Sequence, residues 1–348
     1  MIRDALAELA AHRDLGPAQA HDAMAEIMDG TATQAQVGAF LLGMAMKGQR
    51  PDEIAGMAVA MRERAAAIRP RPNGRVVDLC GTGGAPVTTF NVSTLAMFLV
   101  AGAGVTVAKH GNRAITSRCG SADLLEALGV RIDLNPSAVE RVLQDHGLCF
   151  MFAPKFHPAM RNAMGPRKEL GVRTVFNILG PLTNPAGARG HVMGVFSPDL
   201  VPLFLDVTDR LGLEHAMVVH GQAGVDEICL SCPTLVGELS EGEARQYVLR
   251  AEDLGFDRAP LHALAGSEPA EAAREALRIL AGEPGPKRDM VIANAAAGIY
   301  VAGKTASLND AIPVAQEVLD SGRALGKLRE LVAATGGDLS KLEDHGRA

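Results

Sequence analysis

The sequence predicts an α/β protein in two unequal parts. One is a small helical domain over residues 1–70, with a returning helical segment near residues 158–182, and the other is a larger α/β domain over residues 71–348. Three observations carry this expectation. Before residue 69, leucine, alanine and methionine recur at helical spacing with no strand-like alternation. After Arg69-Pro70-Arg71-Pro72-Asn73-Gly74, short β-branched runs alternate with helix-like segments. The 348 residues, nearly half of them apolar, can bury a substantial core, and 38 glycines with few aromatics suit α/β turns better than a sandwich.

Taken in order, helices are expected at residues 1–12, 17–28, 33–47 and 51–67. Strands are expected near Val76 and Val105, then over residues 149–152, 191–195, 216–220 and 228–230. Residues 158–179 read as helix again, and their return to the first domain would leave a cleft between the two parts, a preferred place for a ligand. No internal repeat or low-complexity tail interrupts the order.

Two loops point to an anion. The strand Arg75-Val76-Val77-Asp78-Leu79 runs into Cys80-Gly81-Thr82-Gly83-Gly84, and Ser93-Thr94 can cap an apolar helix starting near Leu95. A strand, a glycine-rich turn and an open helix N-terminus make an anion site, to which Thr82, Thr88, Thr89, Ser93 and Thr94 add neutral donors. A purely structural glycine turn is the plainer alternative. The dinucleotide fingerprint G-x-G-x-x-G fails because Pro86 stands where its third glycine belongs, and the next strand ends in Lys109-His110 instead of an acidic ribose reader. A P-loop of the G-x-x-x-x-G-K-[ST] type is absent.

The second loop follows the strand 105–108, where Lys109 brings a compact positive charge and Gly111-Asn112 let the chain turn. Ser121 is the expected N-cap of the next helix, Asp123 sits in its first turn, and Gly129 ends it. Together the loops suit a ligand with phosphates at opposite ends, such as a ribose carrying a 5-phosphate and a pyrophosphate.

Composition narrows the class. The formal charge of −6 argues against coating nucleic acid, while Lys109, Arg113, Arg118, Lys155, Arg161, Arg167, Lys168 and Arg173 make the middle of the chain locally basic, which suits a small anionic ligand. A solvated charged face is the plainer alternative for any one of these residues. Met1-Ile2-Arg3-Asp4 runs straight into an amphipathic helix and the apolar run 95–108 is short and glycine-broken, so neither a targeting segment nor a membrane span is expected and the protein is read as cytoplasmic. Five cysteines form no disulfide framework and fit a reducing compartment; Cys229-Leu230-Ser231-Cys232, a lone C-x-x-C, is more often incidental than a zinc or redox site.

Two further clusters carry chemistry. Asp226 and Glu227 follow a glycine turn and are expected at the start of a strand with diverging side chains, and two hard oxygen ligands near a pyrophosphate site suggest magnesium. An Asp-Glu pair alone is usually surface charge. In Ala153-Pro154-Lys155-Phe156-His157-Pro158-Ala159-Met160 and in residues 166–185, an arginine fork could hold a carboxylate beside prolines and a histidine that wall a flat ring. A proline-rich crossover with surface arginines reads equally well.

The order of motifs G-T-G-G, N-x-S-T, K-H-G-N-R, F-A-P-x-x-H-P-A-M, R-x-x-L-G-x-R-T-x-F-N-x-L-G-P-L-x-N-P and G-x-D-E resembles that of the anthranilate phosphoribosyltransferases, over almost the whole chain. The resemblance implies a nucleoside phosphorylase/phosphoribosyltransferase-like fold, with a central mixed sheet flanked by helices. It also implies a homodimer often joined through the helical domain, and a magnesium-dependent step of tryptophan biosynthesis in which phosphoribosyl pyrophosphate and anthranilate give N-(5-phosphoribosyl)anthranilate and pyrophosphate.

By position, the resemblance makes Gly81, Gly84, Thr89, Asn91, Ser93, Thr94, Lys109 and Ser121 contacts of the phosphoribosyl donor, and places Thr82, Ala85, Gly111, Arg113 and Ser117 among the substrate-binding residues. Ser93, Asp226 and Glu227 would bind magnesium; Asn112 and Arg167 would hold anthranilate; His110, Pro154, His157, Gly180 and Pro181 would line its pocket. Lys109, Asn112 and Arg167 are the residues expected to act in catalysis. One departure stands out: the family's glycine loop usually continues into aspartate, whereas this chain has Ala85 and Pro86, removing an acidic group near the pyrophosphate.

No covalent intermediate is needed, because an aromatic amine is already a nucleophile. Two other readings stand beside this one. Pyrimidine nucleoside phosphorylases share a related fold but place lysine and serine just before T-G-G, where this chain has Cys80-Gly81. A catalytically silent relative that binds nucleic acid or a partner protein should be basic and lack the intact Asp226-Glu227 pair.

Overall fold

The computed structural model describes residues 1–72, 74–114 and 117–347; Asn73, in the segment expected to divide the domains, lies outside the described residues, as do Ile115, Thr116 and Ala348. The chain begins with four helices, α1 (Ile2–Ala10), α2 (Pro17–Met28), α3 (Gln34–Lys47) and α4 (Pro51–Glu63). Pro17 and Pro51 occupy first-turn positions where a missing N–H costs nothing. Thr33 and Gln36 cap α3 reciprocally, each side chain accepting from the other residue's amide. Helix α4 stops at Glu63, short of the expected residue 67, because the chain beyond it is captured elsewhere: the Ala66 amide donates to Phe156 O at 2.8 Å and the Ile68 amide to Pro185 O at 3.1 Å.

The α/β part follows as β1 (Val76–Leu79), α5 (Val92–Gly102), β2 (Thr106–Gly111), α6 (Ser121–Ala127), α7 (Pro136–His146), β3 (Leu148–Phe152), α8 (Ala153–Phe156) and α9 (Arg161–Leu170). It continues with β4 (Gly190–Gly194), α10 (Leu200–Arg210), β5 (His215–Gly221), β6 (Thr234–Ser240) and β7 (Glu243–Leu249). Five helices close the chain: α11 (Pro269–Leu280), α12 (Pro286–Val301), α13 (Leu308–Asp320), α14 (Arg323–Ala334) and α15 (Ser340–Arg347).

The seven strands form one mixed sheet in the order β3-β2-β1-β4-β5-β6-β7, parallel from β3 to β5 and antiparallel thereafter. Strand β1 sits between β2 and β4, so successive connections leave it in opposite directions. The crevice at the carboxyl ends of such strands is where open α/β sheets bind ligands.

Two expectations about strands need correction. Residues 228–230 are not a strand: the apolar run Ile228-Cys229-Leu230 is buried in a loop, and the Asn294 side chain on α12 takes the place of a ladder, accepting from the Ile228 amide at 3.1 Å and donating to its carbonyl at 2.9 Å. The real strands β6 and β7 went unforeseen. Their two-residue turn, Glu241-Gly242, has positive φ at both positions (52° and 81°), as a twisted hairpin demands. Strand β7 is an edge strand with mostly exposed residues, so its sequence lacks strong apolar alternation.

Apolar residues gather on both faces of the sheet. One cluster packs α5, α12, α13 and α14 against β1, β2 and β3; the other joins the N-terminal helices to α10 and to Met193, Val195, Val218 and Leu239 of the sheet region. The segment after β3 does return to the first helices: Ala163 of α9 and Val175, Phe176, Ile178 and Leu179 lie in that second cluster. Its α-helix runs only to Leu170, where Gly171 at φ 63° ends α9, and single 3₁₀ turns follow at Val175–Asn177 and Gly180–Leu182. Among the described residues no helix is long and apolar enough to cross a membrane.

Candidate active site

The turn after β1 lies where the connections diverge. Gly83 (φ 64°) and Gly84 (φ 70°) are consecutive left-handed residues, a conformation open at little cost only to glycine. A Cβ on Gly81 would stand 2.9 Å from Gly194 O at the end of β4. The turn is pinned from several sides: Thr82 N donates to Gly194 O (2.8 Å), Phe196 N to Thr82 Oγ1 (3.2 Å), Val87 N to Gly224 O (3.1 Å) and Phe90 N to Leu264 O (3.2 Å). Within the described residues the amides of Gly84 and Ala85 make no hydrogen bond, which leaves them for an anion.

Strand β2 runs three residues beyond the expected Ala108, so Lys109, His110 and Gly111 are placed by its ladder rather than by a loop. Lys109 is buried, its Nζ donating to Leu79 O and, at 3.2 Å, to Ser93 Oγ. Asn91 is the N-cap of α5 and Ser93 and Thr94 lie in its first turn, earlier than the start near Leu95 that the sequence suggests. The Asn91 side chain instead donates to Cys119 O at 3.0 Å, and Ser117 Oγ reaches the same carbonyl at 3.4 Å.

Gly111 has no room for a side chain, since a Cβ would meet Ser121 Oγ at 2.4 Å. Ser121 is the first residue of α6 and Gly120 its N-cap, a shift of one from expectation; Ser121 Oγ donates to Asn112 O at 3.2 Å. Asp123 performs the capping, accepting from the amides of Gly120 and Ala114, each at 2.9 Å. Burial pushes its carboxyl up, but these amides and Arg113 hold it below the usual range. Arg113 pairs with Asp123 (3.0 Å) and Glu126 (2.5 Å), so its charge is already matched.

Asp226 and Glu227 do not begin a strand. They occupy a bend just after the bridge between Gly221 and Val225, where the Gly83 amide hydrogen-bonds to Asp226 and Thr89 Oγ1 donates to Glu227 Oε2 at 2.5 Å. Burial, then the neighbouring Asp226 charge, push the Glu227 carboxyl up to about 8; burial raises Asp226 as well. Among the described residues neither has a cationic partner within ion-pair distance, and no third histidine, cysteine or carboxylate joins them to complete a metal cage. Two hard oxygen donors short of a full shell fit magnesium, which characteristically adds substrate phosphates and water.

The rings of His110 and His157 stand 5.0 Å apart, both buried, and neither His110 ring nitrogen nor His157 Nε2 has a hydrogen-bond partner in the described residues. Burial holds both imidazoles neutral, His157 down to about 3 and His110 in the same direction. A side chain at Gly180 would meet nothing within 4 Å, Pro181 is buried, and Pro154 lies in the first turn of α8. Arg167 on α9 is half-buried, burial lowers its guanidinium pKa, and it makes neither ion pair nor hydrogen bond among the described residues. Asn112 Oδ1 accepts from the Arg113 amide at 2.8 Å.

Sequence reading assigned no role to what lies beneath. Asp78, wholly buried in β1, accepts from the His110 amide (3.2 Å) and Asn184 Nδ2 (2.6 Å) and lies 3.2 Å from His191 Nε2. The available signal was a carboxylate inside the apolar run Val76-Val77-Asp78-Leu79.

A neutral buried histidine makes stability depend on acid. His157 has a folded-state pKa below its unfolded value of 6.5, so its contribution is complete above pH 6.5 and is lost as pH falls toward about 3. Between pH 7 and pH 5, urea unfolding should show His157→Leu losing about 2 kcal/mol less stability than the wild type, from 1.36 kcal/mol per pH unit. Equal losses in both proteins would mean that His157 is not held neutral.

Comparison with known proteins agrees with this geometry. Residues 3–65 match the helical bundle domain of a glycosyl transferase family and residues 73–325 its a/b domain. An anthranilate phosphoribosyltransferase of Methanococcoides burtonii is 53% identical over 325 residues, covering 93% of this chain and 92% of the relative. The crystal structure of the Thermus thermophilus anthranilate phosphoribosyltransferase superposes with a TM-score of 0.91 at 45% identity, covering 96% of this chain and 99% of that one. The Saccharomyces cerevisiae enzyme, solved with phosphoribosyl pyrophosphate and Mg, gives 0.87 at 27% identity over 96% of this chain and 98% of that one. With both domains matched in order and half of all residues shared with a full-length relative, the chain belongs to the anthranilate phosphoribosyltransferases, within that glycosyl transferase family.

Proposed function

We propose that this chain transfers the 5-phosphoribosyl group of phosphoribosyl pyrophosphate to the amine of anthranilate, giving N-(5-phosphoribosyl)anthranilate and pyrophosphate, a step of tryptophan biosynthesis. One observation carries the reading. At the carboxyl ends of β1, β2 and β4, a buried Lys109, the unbonded amides of Gly84 and Ala85 and the uncompensated pair Asp226-Glu227 meet around one turn.

The roles follow from chemistry. The donor's phosphates take the amides of the glycine turn, Lys109, and the hydroxyls of Thr89, Ser93 and Thr94, with Asn91 and Ser121 framing the site. Magnesium, held by Asp226 and Glu227 with Ser93 nearby, supplies positive charge to the departing pyrophosphate. Lys109 adds its own fixed charge to the same end, already oriented by Leu79 O and Ser93 Oγ, so little reorganisation is needed as negative charge grows on the leaving group.

Arg167 meets the carboxylate of anthranilate with its planar fork, Asn112 orients the ring substituents, and the neutral rings of His110 and His157, with Gly180 and Pro181, wall the ring. Binding both substrates beside each other brings the amine to the anomeric carbon without a protein nucleophile.

We also propose that two copies associate through α3. Its outer face carries Ala35, Ala39, Leu42 and Met46 at helical spacing, all exposed, while Val37, Phe40, Leu41 and Met44 face the bundle. A helix apolar on both faces is suited to a partner of the same kind.

Three outcomes test these proposals. Anthranilate fluorescence should fall on addition of phosphoribosyl pyrophosphate and magnesium, with stoichiometric pyrophosphate release and no change when magnesium is omitted; no turnover would sink the reaction assigned. Arg167→Ala should raise the anthranilate KM about tenfold or more, the scale of a lost charged hydrogen bond, and that of the donor far less. Equal effects on both would remove the arginine from the acceptor site. Sedimentation should find a dimer that Leu42→Asp with Met46→Asp turns into a monomer, whereas an undisturbed dimer would place the contact elsewhere.

A further inference from the structure

Arg173 stands just past the end of α9, and the sequence places it in a locally basic, arginine-bearing motif without giving it a role of its own. Its Nη2 donates to Gly84 O at 2.6 Å, and its guanidinium carbon lies 4.1 Å from the centroid of the Phe196 ring. Phe196 is itself fastened to the glycine turn, its amide donating to Thr82 Oγ1 at 3.2 Å. The planar fork is thus held at the edge of the turn by one backbone oxygen and one aromatic face.

The fork is otherwise unspent. Among the described residues Arg173 has no carboxylate within ion-pair distance, and no hydrogen bond besides that to Gly84 O uses its remaining N–H donors. The residue next to that carbonyl is Ala85, so no acidic side chain in the turn competes for the charge. Next to it, the amides of Gly84 and Ala85 are unbonded as well. An exposed arginine that served only to tether a loop would have no need of an anion-ready surround; here a fixed fork and free amides share one edge.

We propose that Arg173 is a further binding residue for the pyrophosphate of the donor, contacting phosphate oxygens with the in-plane N–H groups that the Gly84 carbonyl leaves free. A guanidinium presents donors in a geometry matched to phosphate, and stacking on Phe196 reduces the freedom lost on binding. The inference rests on the reading of the site as one for phosphoribosyl pyrophosphate. It adds a charge from the α9 segment, which also carries Arg167, to the donor's end of the site.

The test is calorimetric titration of magnesium pyrophosphate and, separately, of ribose 5-phosphate into wild type, Arg173→Ala, Arg173→Gln and Arg173→Lys, with steady-state kinetics on each. Loss of a charged hydrogen bond should weaken pyrophosphate about tenfold in the Ala and Gln variants, and less in Lys. Ribose 5-phosphate should stay within about twofold throughout, and the donor KM should follow pyrophosphate. Glutamine can still donate to Gly84 O, so wild-type affinity in Arg173→Gln would reduce the arginine to a tether and overturn the inference. Equal weakening of both ligands would do the same. If wild type turns over anthranilate while Arg173→Ala binds pyrophosphate normally, only this inference fails; if wild type neither binds pyrophosphate nor turns over, the donor reading fails and takes it along.

Discussion

Asp78 is a wholly buried carboxylate in β1, the strand of the seven-stranded sheet that lies between β2 and β4. Burial alone would push its proton affinity up; the attraction of nearby His191, followed by that of Lys109, more than reverses this and keeps it ionised. Its hydrogen bonds reach in two directions. Through the His110 amide it fixes the end of β2, and through Asn184, which also donates to Ala108 O at 2.9 Å, it binds the segment that follows the returning helix. The residues that would grip donor and acceptor are therefore referred to one buried charge. Removing one partner of such a buried pair typically costs about 3–5 kcal/mol, which explains why the cluster is built with several.

The same region shows how a flexible-looking turn is made rigid without regular structure. Glycine lets the chain take two left-handed residues in succession, and the entropy this would otherwise leave is removed by anchors from distant segments at Gly194, Phe196, Gly224 and Leu264. Lys287 secures the last of these: its Nζ donates to Ala265 O at 2.7 Å and lies 5.2 Å from the Phe90 ring. Free amides in a turn held this firmly can await an anion without collapsing onto the chain's own carbonyls.

The first domain was the easier part to read, because helical spacing and proline or Thr33 caps are local signals, and α2 appears over the very residues expected. The glycine turn and the parallel strands were legible for the same reason. What failed was whatever depended on a distant partner. Ile228-Cys229-Leu230 has the composition of a strand, but a single asparagine on α12 satisfies its backbone. Strand β7 is a strand despite Glu243, Arg245 and Gln246, because β6 supplies the ladder. At the site, residue types in motifs were visible, whereas the partnerships of Asp78 and Arg173 required tertiary structure. Arg113 illustrates the converse, a basic residue of the motif whose charge is matched by Asp123 and Glu126 within its own neighbourhood.

Asn294 has a wider reach than its place in the apolar stretch of α12 suggests. Its amide group clasps both backbone groups of Ile228, the residue directly after Glu227, so the carboxylate pair takes its position from a side chain sixty-six residues beyond Ile228 and past the β6-β7 hairpin along the chain. Helix α12 can exchange one aliphatic residue for another along most of its length and remain the same wall. At Asn294, as at Lys287 near its start, the wall is also a jig, and a drift of Asn294 toward alanine or leucine that a core would ordinarily tolerate would be felt as a defect in chemistry rather than in packing.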